Sequence, residues 1–188
     1  MPSLLDKEPV RRAALKVTVD QYHAMGAAGV ISERTELLRG VIVEKMGKSP
    51  LHSCACQIIH DLMLAIIPTG LQLRRGQPIT LEDSEPEPDL ALVEGGPADF
   101  LHRHPSSALL VVEVAVSSED LDREKAAIYA SGGIPEYWLV LPAERRVEVH
   151  LAPQNGAYTT VRPLGEAEAL QPAALPGTSI PVRSILPP

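Results

Sequence analysis

The sequence predicts a mixed α/β domain, a β-sheet flanked by helices, and three features carry that expectation. "LLVVEVAVS" (109–117) is apolar on both of its period-two faces, the mark of a strand covered from two sides. Apolar residues recur at three-to-four spacing over 49–67 and again over 117–133, so helices are at hand to supply the covers. Further strand-like runs stand between and after these helices, in the alternation that builds α/β folds. At 188 residues and 45% hydrophobic composition, one core is expected over residues 17–188, preceded by a mobile or peripheral arm over 1–16.

Each element has a local cause. In "TVDQYHAM", Thr18 followed three residues on by Gln21 is a capping-box pattern, so a short helix should begin there and stop near Gly26 or Gly29. "TELLRGVIVEKM" offers two strand-like runs joined by Arg39-Gly40, with glycine where a positive φ is needed, and reads as a hairpin. Ser49 can cap the long helix and Pro50 suits its first turn. Leu51, Ala55, Ile58, Ile59, Leu62 and Ile66 form its stripe, and Pro68 and Gly70 stop it. A strand near 71–74 follows. The prolines of "EDSEPEPDLALV" then delay the next strand until Asp89, which stands at its mouth. After the buried run, Ser117 or Ser118 should cap a helix ended by Gly132-Gly133, and "EYWLVLPAERRVEVHL" reads as two strands around a turn at 142–145. "AYTTVRPL" is a further strand candidate, and the proline-rich tail reads as irregular wrapping.

Composition narrows the function classes. No apolar stretch approaches the roughly 18 residues of a membrane span, and the N-terminus lacks the apolar core of a secretory signal, so a soluble cytoplasmic protein is expected. Cys54 and Cys56, two apart on a helix, point to nearly opposite sides and should share neither a bridge nor a metal. The net charge of −7 opposes long-range attraction to nucleic acid. Arg74-Arg75 and Arg145-Arg146 are the only basic doublets in the expected fold, and Trp138 is expected in the core rather than on a binding face.

Chemistry concentrates around Glu113, a carboxylate in the middle of the buried strand. An unpaired charge in an apolar interior is costly, so Glu113 needs a partner. On the next helix Leu121, Lys125 and Ile128 share a stripe, which turns a lysine toward the sheet. A buried Glu113–Lys125 salt bridge would satisfy both, but Asp89 adds a third charge if its strand pairs with that of Glu113. Two carboxylates side by side repel unless a proton or cation sits between them. A hard ion such as Mg²⁺, with Mn²⁺ as a substitute, suits two carboxylates. The lysine could then orient a water or offset charge developing on a phosphoryl group. Tyr129, on the Lys125 stripe, is expected to pack with its hydroxyl satisfied.

"EPD", separated by 24 positions from the glutamate of "VVEVAVS", resembles the signature of the PD-(D/E)XK restriction-endonuclease-like superfamily. "TELLRGVIVEKM", "EPDLALV", "LLVVEVAVSSEDLDREKAAIYASGGIPEYWLVLP" and "LPGTSIPVRSIL" are similar to the Uma-two family within it, from about Thr18 to the C-terminus. The resemblance implies an αβββαβ core, a mixed sheet between helices, and a metal held by Asp89 and Glu113. The superfamily lysine usually stands two positions after the second acid, where this chain has Ala115, and Lys125 is the natural substitute. Glu36 matches an acidic position near the active site in many members, with an exposed hairpin carboxylate as the other reading. His52 matches a position often held by histidine and could approach a metal or phosphate. No spacing ties it to another ligand, which favours an ordinary first-turn residue.

These expectations combine as a Mg²⁺-dependent endonuclease acting on nucleic acid, DNA favoured, with a homodimer as the arrangement that could assemble a basic track the monomer lacks. The competing reading is a catalytically inactive nuclease-fold module whose buried charge cluster is structural and which binds a protein partner. Acid–base glycoside hydrolysis is a distant third, because Lys125 would have no role in it and aromatic residues are only 3% of the chain.

Overall fold

The computed structural model describes residues 7–116 and 119–188. A short exposed helix α1 (Glu8–Ala13) comes first. Helix α2 (Val19–Ala27) starts at the expected capping box: Thr18 Oγ1 accepts from the Gln21 N–H and Gln21 Oε1 from the Thr18 N–H. Strands β1 (Thr35–Leu38) and β2 (Val41–Glu44) form the expected hairpin, with Leu38 opposite Val41. Arg39 and Gly40, at φ of 49° and 79°, make its two-residue turn. A Cβ at Gly40 would also meet the Lys16 side chain at 2.7 Å, so glycine is required there twice over.

Helix α3 (Pro50–Leu64) is capped by Ser49, whose side chain accepts from the His52 N–H. Its buried face is narrower than the expected stripe: Ala55, Cys56, Ile59 and Met63 are buried, whereas Leu51 and Ile66 are 38% and 36% exposed. Leu51 stands in the first turn of α3 and Ile66 beyond its last residue, so the apolar repeat runs past the part of the helix that is buried.

The main sheet holds β3 (Leu71–Arg75), β4 (Leu90–Glu94), β5 (Leu110–Val114), β6 (Glu136–Leu141), β7 (Arg146–Gln154) and β8 (Ala157–Gly165) in that spatial order. Only β5 and β6 run parallel, and α4 (Glu119–Ser131) makes the crossover that a parallel pair needs. From α3 to β6 the order is therefore αβββαβ. Two-residue strands β9 (Ala169–Leu170) and β10 (Ile180–Pro181) pair within the tail. The expected cap at Ser117 or Ser118 lies outside the described residues.

Both faces of the sheet are covered, as the doubly apolar β5 requires. On one, Leu90, Leu92, Val112, Val114 and Trp138 meet α3 and the tail residues Leu175, Ile180, Val182 and Ile185. On the other, Ala91, Val111, Tyr137 and Leu139 meet Leu38 of the hairpin and Ala126, Ile128 and Tyr129 of α4. Trp138 is fully buried, in the core. Among the described residues, no helix is long and apolar enough to cross a membrane.

Candidate active site

The register of β4 against β5 sets the site. Leu90 faces Val112, so Asp89, one residue before β4 begins, arrives beside Glu113. Pro88 removes a ladder donor just ahead of it, consistent with the strand starting only after Asp89. The two acids clasp each other through the backbone. The Asp89 N–H donates to Glu113 Oε2 at 3.2 Å, and the Val114 N–H donates to Asp89 Oδ2 at 3.0 Å. Both residues are buried, at 7% and 4% exposure.

Helix α4 turns Lys125 toward this pair, as its stripe requires. Lys125 Nζ lies 3.2 Å from Glu113 Oε1 and 3.0 Å from Glu36 Oε1, and all three groups are buried. One turn on, the Tyr129 hydroxyl donates to Glu113 Oε1 at 2.7 Å, so the packed tyrosine has its hydroxyl satisfied by the site itself. Glu36 is not the exposed hairpin acid that sequence left open: β1 directs it inward, where it also accepts from the Glu87 N–H at 3.2 Å. Ala115, two positions after Glu113, is buried in the apolar layer below.

His52 is part of the same cluster, contrary to the first-turn surface residue that its spacing favoured. Its Nε2 stands 2.9 Å from Asp89 Oδ2, and Cys56 Sγ stands 3.6 Å from its Nδ1. The signal was present in the sequence, since His52 and Cys56 are four apart on one helix face. Cys54 and Cys56 do diverge, one exposed and one buried, so they share no ligand between them. Instead His52, Cys56 and Asp89 bring ligand atoms within 4.8 Å of one another. Lys48, in the loop before α3, completes the rim with Nζ 3.2 Å from Asp89 Oδ1.

Glu36, Lys48, His52, Asp89, Glu113 and Lys125 line a small cavity of about 80 Å³. Five acidic side chains (Glu36, Glu87, Asp89, Glu113 and Asp122), three lysines (Lys45, Lys48 and Lys125) and His52 line it. Burial, with Asp89 and Asp122 nearby and against the pull of Lys125, pushes the Glu113 carboxyl up from 4.5 to about 8. Burial opposes ionisation of Asp89 as well. Its hydrogen bond and charge interaction with His52 and the Val114 N–H nevertheless hold it below the usual carboxylate range. Burial alone would lower Lys125, but Glu113, Glu36 and Asp122 outweigh it and keep the ammonium charged. Burial, and then Asp89, raise the Cys56 thiol to about 12, which leaves it a weak ligand beside two carboxylates.

Asp89 just before β4 and Glu113 near the end of the antiparallel β5 thus meet at one rim of a mixed sheet packed between helices, with a lysine from the crossover helix beside them. A crystal structure from Anabaena variabilis ATCC 29413, described as a "putative nuclease belonging to DUF820", superimposes with a TM-score of 0.76. It does so at 15% identity, over 90% of this chain and 97% of that one. Residues 19–183 match the model of the Uma2 family, described as "Putative restriction endonuclease", and the chain belongs to that family. No curated protein matches it.

Proposed function

We propose that this protein is a divalent-metal-dependent endonuclease that hydrolyses phosphodiester bonds of nucleic acid, DNA favoured. The observation that carries the reading is the Asp89–Glu113 clasp itself: two buried carboxylates held side by side by the register of β4 on β5, with the Lys125 ammonium against one of them. Hard oxygen donors from two carboxylates fit Mg²⁺ or Mn²⁺, with Asp89 and Glu113 as the protein ligands. When bound, such an ion supplies Lewis-acid activation of water and of the phosphoryl oxygen.

The chain's own residues divide the remaining work. Lys125, kept charged by three acids, serves as a fixed cation for charge developing on the phosphoryl group and as an anchor for the attacking water; it does not serve as a base. Glu36 holds that ammonium in place, and the Tyr129 hydroxyl holds Glu113. His52 fixes the orientation of Asp89. Lys45 and Lys48 stand at the cavity lip, where a backbone phosphate must approach, and so place local positive charge on a chain that is negative overall. The cavity is too small for a nucleotide, so only the scissile phosphate enters it.

The test is plasmid nicking in Mg²⁺, Mn²⁺ and EDTA, with Asp89→Ala as the control and circular dichroism to check folding. Metal-dependent cutting that Asp89→Ala loses supports the proposal, and equal cutting by the folded variant rejects it. A second reading has one observation in its favour: Lys125 already bridges Glu36 and Glu113, and Lys48 already pairs with Asp89. On that reading the module is inactive, binds a partner protein, and is indifferent to metal in thermal denaturation.

A further inference from the structure

Helix α3 carries two metal-ligating side chains on one face, four residues apart, and both converge on Asp89. His52 Nε2 stands 2.9 Å from Asp89 Oδ2, and Cys56 Sγ stands 3.6 Å from His52 Nδ1 and 3.9 Å from its Nε2. One nitrogen, one sulfur and one oxygen thus lie within 4.8 Å of one another. Among the described residues, no other set of three or more His, Cys, Asp or Glu side chains brings its ligand atoms so close. His52 and Asp89 line the small cavity, so an ion arriving from solvent meets them first. Cys56, one turn further along α3 and 3% exposed, belongs to the core layer against the sheet and closes the set from the protein side.

The donor types select the ion. A thiolate beside an imidazole suits zinc and related borderline ions, whereas Mg²⁺ and Mn²⁺ prefer the oxygens that Asp89 and Glu113 offer. Zinc bonds of about 2.0–2.3 Å at tetrahedral angles set neighbouring donors roughly 3.3–3.5 Å apart. The Nε2–Oδ2 and Nε2–Sγ separations, 2.9 and 3.9 Å, lie on either side of that spacing, so small side-chain rotations fit all three donors to one ion. The imidazole binds through Nε2 with its proton on Nδ1, and the Cys56 thiol releases its proton to solvent. One thiolate and one carboxylate then match the two charges of the ion. Asp89 keeps its other partners, the Val114 N–H on Oδ2 and the Lys48 ammonium on Oδ1. Glu113 gives this set no donor: its Oε2 accepts from the Asp89 N–H, and its Oε1 from Lys125 and Tyr129.

We propose that His52, Cys56 and Asp89 form a binding site for one zinc-class divalent ion, which shares only Asp89 with the hard-ion site proposed at Asp89 and Glu113. The fourth position of the tetrahedron opens on the cavity, where water completes it. This inference does not rest on the nuclease reading, since it needs only the three donors and not the clasp.

The experiment is optical titration of the full chain with Co²⁺, a coloured stand-in for Zn²⁺, in a Cys54→Ser background where Cys56 is the one remaining thiol. Co²⁺ should give a saturable thiolate-to-cobalt charge-transfer band in the near ultraviolet and strong visible bands of tetrahedral coordination, at one ion per chain. Zn²⁺, which favours four-coordinate sites of nitrogen and sulfur, should displace it. Adding Cys56→Ser should abolish the charge-transfer band. Adding His52→Asn should weaken the ion by at least about tenfold, no less than the loss of an outer-shell partner costs. Circular dichroism checks that each variant folds, and should Cys56→Ser not fold, His52→Asn decides. Adding Glu113→Gln should leave the band in place, whereas an ion seated between the paired acids would lose it. No saturable charge-transfer band, a band undiminished in folded Cys56→Ser or His52→Asn, or a band lost in folded Glu113→Gln overturns the proposal.

Discussion

Replacing Glu113 by glutamine should convert a pH-dependent, metal-responsive protein into one that is neither. Burial raises the Glu113 carboxyl from 4.5 to about 8, so the folded protein holds this proton more tightly than the unfolded chain does. Stability from this group is therefore fully present below about pH 4.5 and is lost as pH rises through 8. The full span corresponds to at most about 5 kcal/mol at 1.36 kcal/mol per pKa unit, and relaxation of the site reduces it to a few. Glutamine keeps the shape of the protonated acid and has nothing to ionise, so metal-free wild type should lose stability relative to Glu113→Gln between pH 5 and 9. A divalent ion at Asp89 and Glu113 should reverse the order. At a hundred times its dissociation constant, an ion stabilises the folded state by about 2.7 kcal/mol, roughly 5–10 °C in Tm for a domain of this size. The assay is urea or thermal denaturation of both proteins across pH 5–9, in EDTA and in Mn²⁺. Parallel curves for the two proteins in every condition would refute the reasoning, because they would mean that Lys125 alone neutralises Glu113.

Three further outcomes follow from the same geometry. Lys125→Met should cost about 3–5 kcal/mol, read by denaturant midpoint, because it leaves Glu36 and Glu113 buried without their shared cation, and it should abolish nicking. Lys48→Met removes an ammonium from Asp89 Oδ1; calorimetry should show tighter Mn²⁺ binding, while nucleic acid binding weakens and its log–log salt slope falls by about one. Ser49→Ala removes the side-chain acceptor for the His52 N–H and should cost about 1 kcal/mol by thermal denaturation, with a loss of nicking rate where fraying of the first turn of α3 frees His52 from Asp89.

Much of this was legible in the sequence because the elements that build the site obey local rules. The Thr18–Gln21 capping box, the Arg39-Gly40 hairpin, the doubly buried β5 and the inward Lys125 each depend on residues within a few positions of one another. What sequence left open depends on register and on approach from elsewhere in the chain. Glu36 could be weighed only as an exposed or an inward acid, since nothing near β1 shows that Glu85 pairs with Leu37 and draws the 85–87 segment against it. His52 looked isolated because its partner, Asp89, is 37 positions away, although Cys56 on the same helix face was within reach of the argument. Arg74 read as half of a basic doublet. Only the sheet shows that the two arginines part company, Arg74 into the core and Arg75 outward to the Gln57 amide oxygen.

The absence of a lysine at position 115 has a physical counterpart in where Lys125 sits. Residues 113 and 115 share one face of β5, so a lysine at 115 would reach the acid from within the sheet and would need room in the layer beneath α4. That layer is filled by Ala126, Ile128, Tyr129 and Tyr137, and Ala115 is small enough to let the helix lie on the strand. With the helix this close, Lys125 brings its ammonium to Glu113 from above, and the same helix turn supplies the Tyr129 hydroxyl to the same oxygen. Moving the cation from strand to helix thus leaves it at the acid while changing its support: Glu36, reached from β1, becomes its second anchor. The hairpin is in that case part of the charge machinery and not only a cover for the sheet, which is why the buried position of Glu36 carries as much weight as that of the lysine it holds.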